Sequence, residues 1–325
     1  MSSQGSTVAR CIAIVAAIVM VLMAPGLAAD AAWPKAARSL LLDIARAGDR
    51  LIAVGERGHV LLSNDEGRTW AVAATPDDRL LTAVYFLDAR HGWAVGHEAL
   101  ILATDDGGQH WQVQHDGMAA ASQGEAVSAL LDVWFADAST GWAAGAFGTV
   151  LHTRDGGAHW EDWTDRVDNP EGLHIHAITG LPDGRVIMVG ERGLMTISDS
   201  AGTGWQQQAF EYDGSLFGLQ AFDSQLLVFG LRGHAYSSTD AHHWQAVPLP
   251  LSQTLFGSTA DRDRVFLVGQ GGSVLAGSAD GRFQVLQKEQ GEHLTAAVLS
   301  GNRLWMVGQG GLHQLTLAPA QQVQP

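Results

Sequence analysis

The sequence predicts an all-β protein, specifically a seven-bladed β-propeller with four-stranded antiparallel blades. A turn motif that begins with Gly and, in six of its seven copies, has a second Gly after two residues recurs at intervals of roughly 40 residues, the spacing of propeller repeats. Short alternating apolar runs flank each glycine pair, as expected for strands of about five residues. The chain also contains 39 Gly and 11 Trp, a composition that favours tight turns between packed strands over long helices.

The repeat defines seven units of similar length. In the second unit we predict strands over residues 81–87, 92–96, 99–104 and 110–114. A unit of this kind buries its faces only when neighbouring units stack on it, so the copies are expected to form a closed array. The first glycines of the motif, one in each unit, are Gly55, Gly96, Gly145, Gly190, Gly230, Gly269 and Gly308.

The turn between the third and fourth strands carries an Asp-box pattern. It reads SNDEGRTW at residues 63–70, TDDGGQHW at 104–111 and TRDGGAHW at 153–160, whereas Ser200 stands at the Asp position of the fourth unit. The Asp accepts hydrogen bonds from turn amides, Gly tolerates positive φ, and Trp covers the base of the hairpin. We therefore predict a structural and not a catalytic role for Asp65, Trp70, Asp106, Trp111, Asp155 and Trp160.

The two ends of the chain are expected to complete the ring together. The seventh unit stops without an Asp box or a fourth strand, while Trp33 lies near the start with no strands before it. We predict that an N-terminal strand near Trp33 closes the last blade and leaves no exposed sheet edge.

The first 28 residues have the pattern of a secretory signal peptide. Arg10 precedes an apolar run from Cys11 to about Met23, and small residues follow a Pro-Gly break. We predict a signal peptide over residues 1–28 and a propeller over 29–325, in the periplasm or, in a phototroph, the thylakoid lumen. Retention of the segment as an uncleaved anchor remains an alternative. Cleavage would remove Cys11, the only cysteine, so the mature chain would form no disulfide.

Composition and motifs exclude several classes of function. The formal net charge is −15, with 19 basic and 34 acidic residues, which disfavours a nucleic-acid partner. His174 and His176 alternate on one predicted strand, but two ligands without a third are too few for a metal site. The Gly-Gln-Gly-Gly turns open no helix and so are not phosphate loops. We expect neither a metal nor a cofactor.

The glycine turns offer the best candidate binding site. In a propeller of this strand order they lie on the same face as the connections between blades, and the Asp boxes lie on the opposite face. We call the first the loop face. Arginines there could bind a carboxylate or an acidic peptide, although a set of solvated turns is the alternative. The candidate partner-binding residues are Glu56, Arg57, His97, Glu98, Glu191, Arg192 and Arg232.

The repeated pattern VGxxGx[VL]LxTxDGGxxW behind a signal peptide resembles the photosystem II assembly and stability factor family, which consists of exported seven-bladed propellers related to BNR/Asp-box proteins. The resemblance covers roughly residues 33–317. It implies a non-enzymatic chaperone or scaffold that binds a membrane-protein subunit during assembly. We expect the protein to be peripheral to the membrane at most and monomeric. It also implies an arginine-rich patch, for which Arg57, Arg192 and Arg232 are the candidates.

A sialidase-like glycoside hydrolase is the alternative, since Asp-box propellers include such enzymes. Their chemistry uses a Tyr nucleophile, an acidic partner and an arginine cluster. Glu211, Tyr212 and Asp213 form the one segment in which Tyr and acids lie together on the loop face.

Overall fold

Seven antiparallel sheets follow one another along the chain, in a computed structural model that describes residues 33–317 except 122–126, 201, 223, 262–263, 279–280 and 289–290. Six sheets have four strands in chain order, and the seventh has three among the described residues. The seven-bladed propeller predicted from the repeat is confirmed. The predicted signal peptide lies outside the described residues.

Each blade runs outward from the centre of the ring. The first strands line the centre and are β1 (Leu41–Ala47), β5 (Leu81–Phe86), β9 (Leu130–Phe135), β13 (Ile175–Gly180), β17 (Leu216–Phe222), β21 (Leu255–Ala260) and β25 (Leu294–Ser300). The second strands, buried almost throughout, are β2 (Arg50–Gly55), β6 (Gly92–Gly96), β10 (Gly141–Gly145), β14 (Val186–Gly190), β18 (Gln225–Gly230), β22 (Arg264–Gly269) and β26 (Arg303–Gly308).

The third strands are shorter than the second in most blades, and the fourth strands are the most exposed. The third strands are β3 (Val60–Ser63), β7 (Ile101–Thr104), β11 (Val150–Thr153), β15 (Met195–Ser198), β19 (Ala235–Ser238), β23 (Val274–Ser278) and β27 (Gly311–Thr316). The fourth strands are β4 (Ala71–Val72), β8 (Gln112–His115), β12 (Glu161–Asp162), β16 (Trp205–Gln207), β20 (Gln245–Ala246) and β24 (Phe283–Gln287).

Helical structure is confined to short segments of the described chain. One α-helix, α1, spans Gly117–Ala121 between the second and third blades. The 3-10 turns are Lys35–Arg38, Glu56–Gly58, His97–Ala99, Ala146–Gly148, Thr164–Arg166, Glu191–Gly193, Leu231–Gly233 and Gln270–Gly272. Within the described ranges, no helix has both the length and the hydrophobicity needed to cross a bilayer.

The hydrophobic core lies between adjacent blades. One cluster joins Ile52 and Val54 of the first blade to Val84 and Ala94 of the second, with Trp111 covering its edge. Six similar clusters fill the other junctions among the described residues. Because every sheet is buried on both faces by its neighbours, stability depends on closure of the ring.

The ring closes between β25–β27 and the first blade. The Thr295 hydroxyl donates to the Leu41 carbonyl at 3.1 Å, and Trp305 Nε1 donates to the Glu66 carbonyl at 3.1 Å. The indole of Trp305 also contacts Trp33 and Trp70, at centroid distances of 5.8 and 5.7 Å. These contacts fix the two ends of the described chain against each other.

The segment near Trp33 lies at the last blade, as predicted, but it pairs differently. Residues Lys35–Arg38 form a 3-10 turn beside β27, and the described part of that sheet contains no fourth strand. Its backbone bonds locally: the Ala37 N–H donates to the Pro34 carbonyl and the Ser39 N–H to the Ala36 carbonyl. Pro34 has no N–H to offer a sheet. The segment therefore closes the blade by packing instead of strand pairing, which corrects the expectation of an N-terminal strand.

Candidate functional site

The turns between second and third strands have one repeated backbone design. In the first blade the Gly55 N–H donates to the His59 carbonyl at 3.1 Å, and the Glu56 N–H donates to the Leu40 carbonyl at 3.0 Å. The second bond docks the turn on the segment that leads into β1. A Cβ at Gly55 would lie 2.2 Å from the Leu40 oxygen, so only glycine permits this approach. Equivalent bonds place each turn beside the segment that leads into the blade, which defines the loop face.

The third residue of this turn, counted from the first glycine, has a left-handed backbone conformation in the first five blades. This conformation is costly for a side chain other than glycine, yet four of the first five turns carry a long side chain there and one carries an aromatic ring. Their φ angles range from 52° to 58°. The rigid turn thus exposes an Arg in the first, fourth and fifth blades, a Glu in the second and a Phe in the third: Arg57, Glu98, Phe147, Arg192 and Arg232.

The three candidate arginines share the loop face but do not form one cluster. Arg192 and Arg232 belong to the neighbouring fourth and fifth blades, whereas Arg57 belongs to the first, three blades from either. Arg192 forms an exposed ion pair with Glu171. Among the described contacts, neither Arg57 nor Arg232 has an ion pair or a side-chain hydrogen bond. Exposed guanidinium groups of this kind remain available for a partner.

The predicted acidic and histidine residues have varied surroundings. Glu191 accepts a hydrogen bond from the His174 N–H at 3.3 Å, and Glu56 and His97 lie at the start of their turns. Glu98 lies 3.5 Å from Arg79, a residue that the sequence analysis did not select. Arg79 also pairs with Asp77 and Asp116 at 2.6 and 2.9 Å and is only 15% exposed. Arg79 therefore ties the second blade together and is not free to bind a ligand.

On the opposite face, the Asp-box carboxylates are used inside their own turns. Asp65 accepts bonds from the Ser63 hydroxyl at 2.8 Å and from the Thr69 N–H and hydroxyl at 2.9 and 2.6 Å. Trp70 Nε1 donates to the Gly67 carbonyl at 3.1 Å. Asp106 and Asp155 accept equivalent hydrogen bonds from the hydroxyl and the N–H groups of their own turns. Both oxygens of each carboxylate are engaged, which accounts for the pattern without a ligand.

The fourth blade still closes its turn with a carboxylate, despite Ser200. Asp199, one residue earlier, accepts hydrogen bonds from the Thr203 N–H at 2.9 Å and from the Thr203 hydroxyl at 3.1 Å. The carboxylate is thus supplied from a shifted position. No group of three His, Cys, Asp or Glu side chains in the described residues is arranged to hold a metal ion.

Tyr212 is held as part of a blade junction. Its hydroxyl donates to the Leu231 carbonyl at 2.9 Å, and its ring stacks on His234 at 4.5 Å. Burial raises the pKa of the phenol, which disfavours the phenolate that a nucleophile requires. Glu211 and Asp213 are exposed on either side. This geometry gives Tyr212 a packing role between the fourth and fifth blades.

The central channel contains a site that the sequence analysis missed. Every first strand has a β-bulge one residue after its start, and the bulged residues all line one cavity of about 600 Å³. A bulge redirects one side chain out of the regular alternation. The seven bulged residues are Leu42, Thr82, Leu131, His176, Phe217, Phe256 and Thr295.

The cavity has two chemically distinct sides. Asp43 and Asp132, next to the bulges of the first and third blades, face it on one side, and Phe217 and Phe256 line the other. Burial raises the pKa of Asp43 to about 6 and that of Asp132 to about 7, and backbone hydrogen bonds oppose both shifts. The charge of Asp43 also contributes to the raised pKa of Asp132.

Fold and turns together define an Asp-box seven-bladed β-propeller that presents variable side chains around a central channel. Comparison with known proteins narrows this class. The model of the family described as "Photosynthesis system II assembly factor YCF48" matches residues 69–220. The resemblance to photosystem II assembly factors predicted from the repeated pattern is therefore confirmed.

Solved structures share the fold at low sequence identity. A structure of YCF48 bound to a D1 peptide is 18% identical, with a TM-score of 0.69, covering 87% of this chain and 94% of that one. YCF48 from Cyanidioschyzon merolae is 18% identical, with a TM-score of 0.67, covering 86% and 96%. The extracellular domain of a putative hybrid two-component system from B. thetaiotaomicron is 11% identical, with a TM-score of 0.66, covering 87% and 40%. No curated protein sequence matches the chain.

Proposed function

We propose that this protein is an exported, non-catalytic binding propeller that acts as an assembly or stability factor for a membrane-protein complex. The observation that carries the proposal is the loop face, where a constant backbone presents one exposed Arg, Glu or Phe side chain in each of five blades. A rigid surface of this kind binds a partner without a large entropic cost to itself. The Asp-box face offers little comparable chemistry because its carboxylates are engaged within their turns.

The partner would be a segment of a membrane-protein subunit. The family match supports an assembly role, and one structure with the same fold has a bound D1 peptide. The signal-peptide pattern over residues 1–28 supports a location in the periplasm or the thylakoid lumen, with the propeller peripheral to the membrane and monomeric. Equilibrium binding would involve no covalent step and no cofactor.

Site-specific photocrosslinking tests the proposal. A benzophenone amino acid is placed at Phe147 or Arg232 on the loop face, and at Arg68 or His159 on the Asp-box face as matched controls. We expect a membrane-protein subunit to be captured in the native envelope from the loop-face positions only. Equal capture from both faces, or capture from the Asp-box face alone, would contradict the proposal.

The arginines are tested together with the crosslinks. The triple change Arg57→Ala, Arg192→Ala and Arg232→Ala should abolish capture from Phe147, because it removes the exposed loop-face cations that would bind the partner. Its melting temperature should stay close to that of the wild type, since exposed ion pairs contribute about 0–1 kcal/mol. Unchanged capture would remove the arginines from the site. Glycoside turnover that Tyr212→Phe abolishes would instead establish the hydrolase alternative.

A further inference from the structure

Six aromatic rings form a continuous arc on the loop face. Successive ring centroids are separated by 4.9, 6.5, 4.8, 5.4 and 6.3 Å. The arc begins at an exposed turn of the third blade, crosses the mouth of the cavity and ends beside the seventh blade. We define this aromatic arc as Phe147, His174, His176, Phe217, Phe256 and His293.

Hydrogen bonds hold the imidazole rings of the arc in place. His174 Nδ1 accepts from the Phe147 N–H at 2.7 Å, and His293 Nδ1 accepts from the Gly271 N–H at 3.1 Å. The His176 Nδ1 lies 2.8 Å from the Leu216 carbonyl, to which it must donate. The rings are ordered before any ligand arrives, so binding to them costs little conformational entropy.

The spacing of the arc fits an extended peptide. Neighbouring rings are 4.8–6.5 Å apart, somewhat closer than the roughly 6.6–6.8 Å at which side chains repeat on one face of a β-strand, so each such side chain would have a ring within reach. Phe147 is 70% exposed, so its ring is not needed for packing of the core. A small molecule confined to the cavity would not contact Phe147. The arc therefore favours a segment that runs from the rim of the ring toward its centre.

The cavity adds a specific charge requirement. Asp43 accepts hydrogen bonds from the Ile44 and Val84 N–H groups, each at 2.8 Å. Asp132 accepts from the Val133 and Ile178 N–H groups, also at 2.8 Å. These bonds fix both carboxylates but bring no positive charge. No Lys or Arg is found among the described residues that line the cavity.

We propose that the aromatic arc binds an extended segment of the partner, whose apolar side chains pack on the rings while one Lys or Arg side chain enters the cavity toward Asp43 and Asp132. This inference rests on the proposed function and names the chemistry of its partner. The cavity of about 600 Å³ has room for one long side chain and part of its backbone. Phe217 and Phe256 would add cation–π attraction to the carboxylate charge. The net charge of −15 favours the approach of a cationic segment.

The test uses the whole folded chain and fluorescein-labelled nine-residue probe peptides. Each probe alternates Leu with Ser and carries a central Lys, a central norleucine or a central Glu. We expect the Lys probe to bind about tenfold more tightly than the norleucine probe in fluorescence anisotropy, and the Glu probe to bind more weakly than both. Equal affinities for the Lys and norleucine probes, or a preference for the Glu probe, would overturn the charge requirement. This comparison varies only the peptide and leaves the protein unchanged.

Substitutions in the arc test its contribution separately. Phe147→Ala and Phe256→Leu should each weaken the Lys probe severalfold, whereas Val113→Ala, an exposed apolar change on an outer strand, should leave the affinity unchanged. Phe256→Leu keeps an apolar side chain at a half-buried position, so the variant is expected to fold. If both arc variants bind like the wild type, the peptide does not lie on the arc.

The pH dependence provides an independent measurement. Affinity for the Lys probe should rise between pH 6 and pH 8 as Asp43 and Asp132 ionise, and the norleucine probe should show a smaller change. His176 and His293 also face the cavity. Burial lowers the pKa of His176, which favours its neutral form in this range. A pH dependence that disappears in His293→Asn would assign the effect to that histidine and overturn its assignment to the carboxylates.

Two further outcomes separate the possible failures. If hexylamine competes with the Lys probe at equal concentration, the cavity binds amines and the peptide arrangement is wrong. If the probes fail to bind but the loop-face crosslinks still capture a membrane-protein subunit, this inference fails while the proposed function survives. Loss of the crosslinks themselves would instead refute the proposed function.

Discussion

The turns at the two ends of each blade are closed by different kinds of hydrogen bond. On the Asp-box face, a side chain closes the turn: Asp106 accepts from the N–H groups of Gln109 and His110. On the loop face, the backbone closes the turn, as where the Gly145 N–H donates to the Thr149 carbonyl. A turn secured by its backbone leaves its exposed side chain free to vary. The loop face, whose turns tolerate different exposed side chains, is therefore the better candidate for binding.

The carboxyl groups of the two regions have pKa values that are shifted in opposite directions. The side-chain hydrogen bond from His159 and the backbone N–H lower the pKa of Asp155 to about 2. Around the channel, burial raises the pKa of Asp43 to about 6 and that of Asp132 to about 7. Asp-box carboxylates are therefore stabilised in their charged form, whereas the channel carboxylates are held where their charge is unfavourable unless a cation approaches.

The largest expected difference between the faces concerns aromatic side chains. Trp111→Ala should destabilise the protein by about 3–5 kcal/mol, because the indole is 5% exposed, packs on Phe86 and donates to the Gly108 carbonyl. Phe147→Ala on the loop face should change the free energy of unfolding by less than about 0.5 kcal/mol. Urea denaturation of both variants measures the difference. Similar losses would show that Phe147 serves the fold.

The next effect is the dependence of stability on pH. A carboxyl group whose pKa is raised in the folded state binds its proton more tightly there than in the unfolded chain. The contribution of Asp43 and Asp132 therefore becomes more favourable as the pH falls from about 8 to about 5, by on the order of a few kcal/mol in total. Denaturation at several pH values should show this rise, and Asp43→Ser with Asp132→Ser should flatten it.

At lower pH the Asp boxes should reverse the trend. Asp155 has a lowered pKa, so its stabilising effect is present above about pH 4 and is lost as the pH falls toward 2. Stability should therefore pass through a maximum at mildly acidic pH. A steady loss of stability from pH 8 downward would contradict the assignment of raised pKa values to the channel acids.

A smaller effect is expected from a single Asp-box carboxylate. Asp106→Ala should cost about 1–3 kcal/mol, since it leaves the Gln109 and His110 N–H groups without their acceptor. Glu98→Ala is the matched acidic change on the loop face and should cost about 0–1 kcal/mol. Thermal melts of the two variants would compare them directly. An equal loss for Glu98→Ala would place it in a structural network with Arg79.

The smallest effect should have the opposite sign. Arg57→Gly should stabilise the protein by up to about 1 kcal/mol, because φ is +56° at this position and glycine adopts it without strain. Gly271 already occupies the equivalent position in the sixth blade. Arg57→Ala keeps the unfavourable conformation and should have almost no effect on stability. Destabilisation by Arg57→Gly would mean that the guanidinium supports the fold.

The sequence by itself determined the number of blades, their strand order and the two kinds of turn. These features depend on local requirements: a glycine where the Leu40 carbonyl approaches, and a Ser or Thr, an Asp and a Trp within one hairpin. Such local requirements restrict the residue types at a few neighbouring positions and are therefore visible in the sequence. The role of Asp199 was missed because its carboxylate reaches the turn from one position earlier.

Only the tertiary structure decided which side chains share a site. Each blade contributes one bulged residue to the channel, and His176, Phe217 and Phe256 are neighbours in space although about 40 residues separate each from the next. The charge of Asp43 in the first blade contributes to the raised pKa of Asp132 in the third. No local pattern marks such residues, because closure of the ring creates their contacts, their burial and the cavity between them.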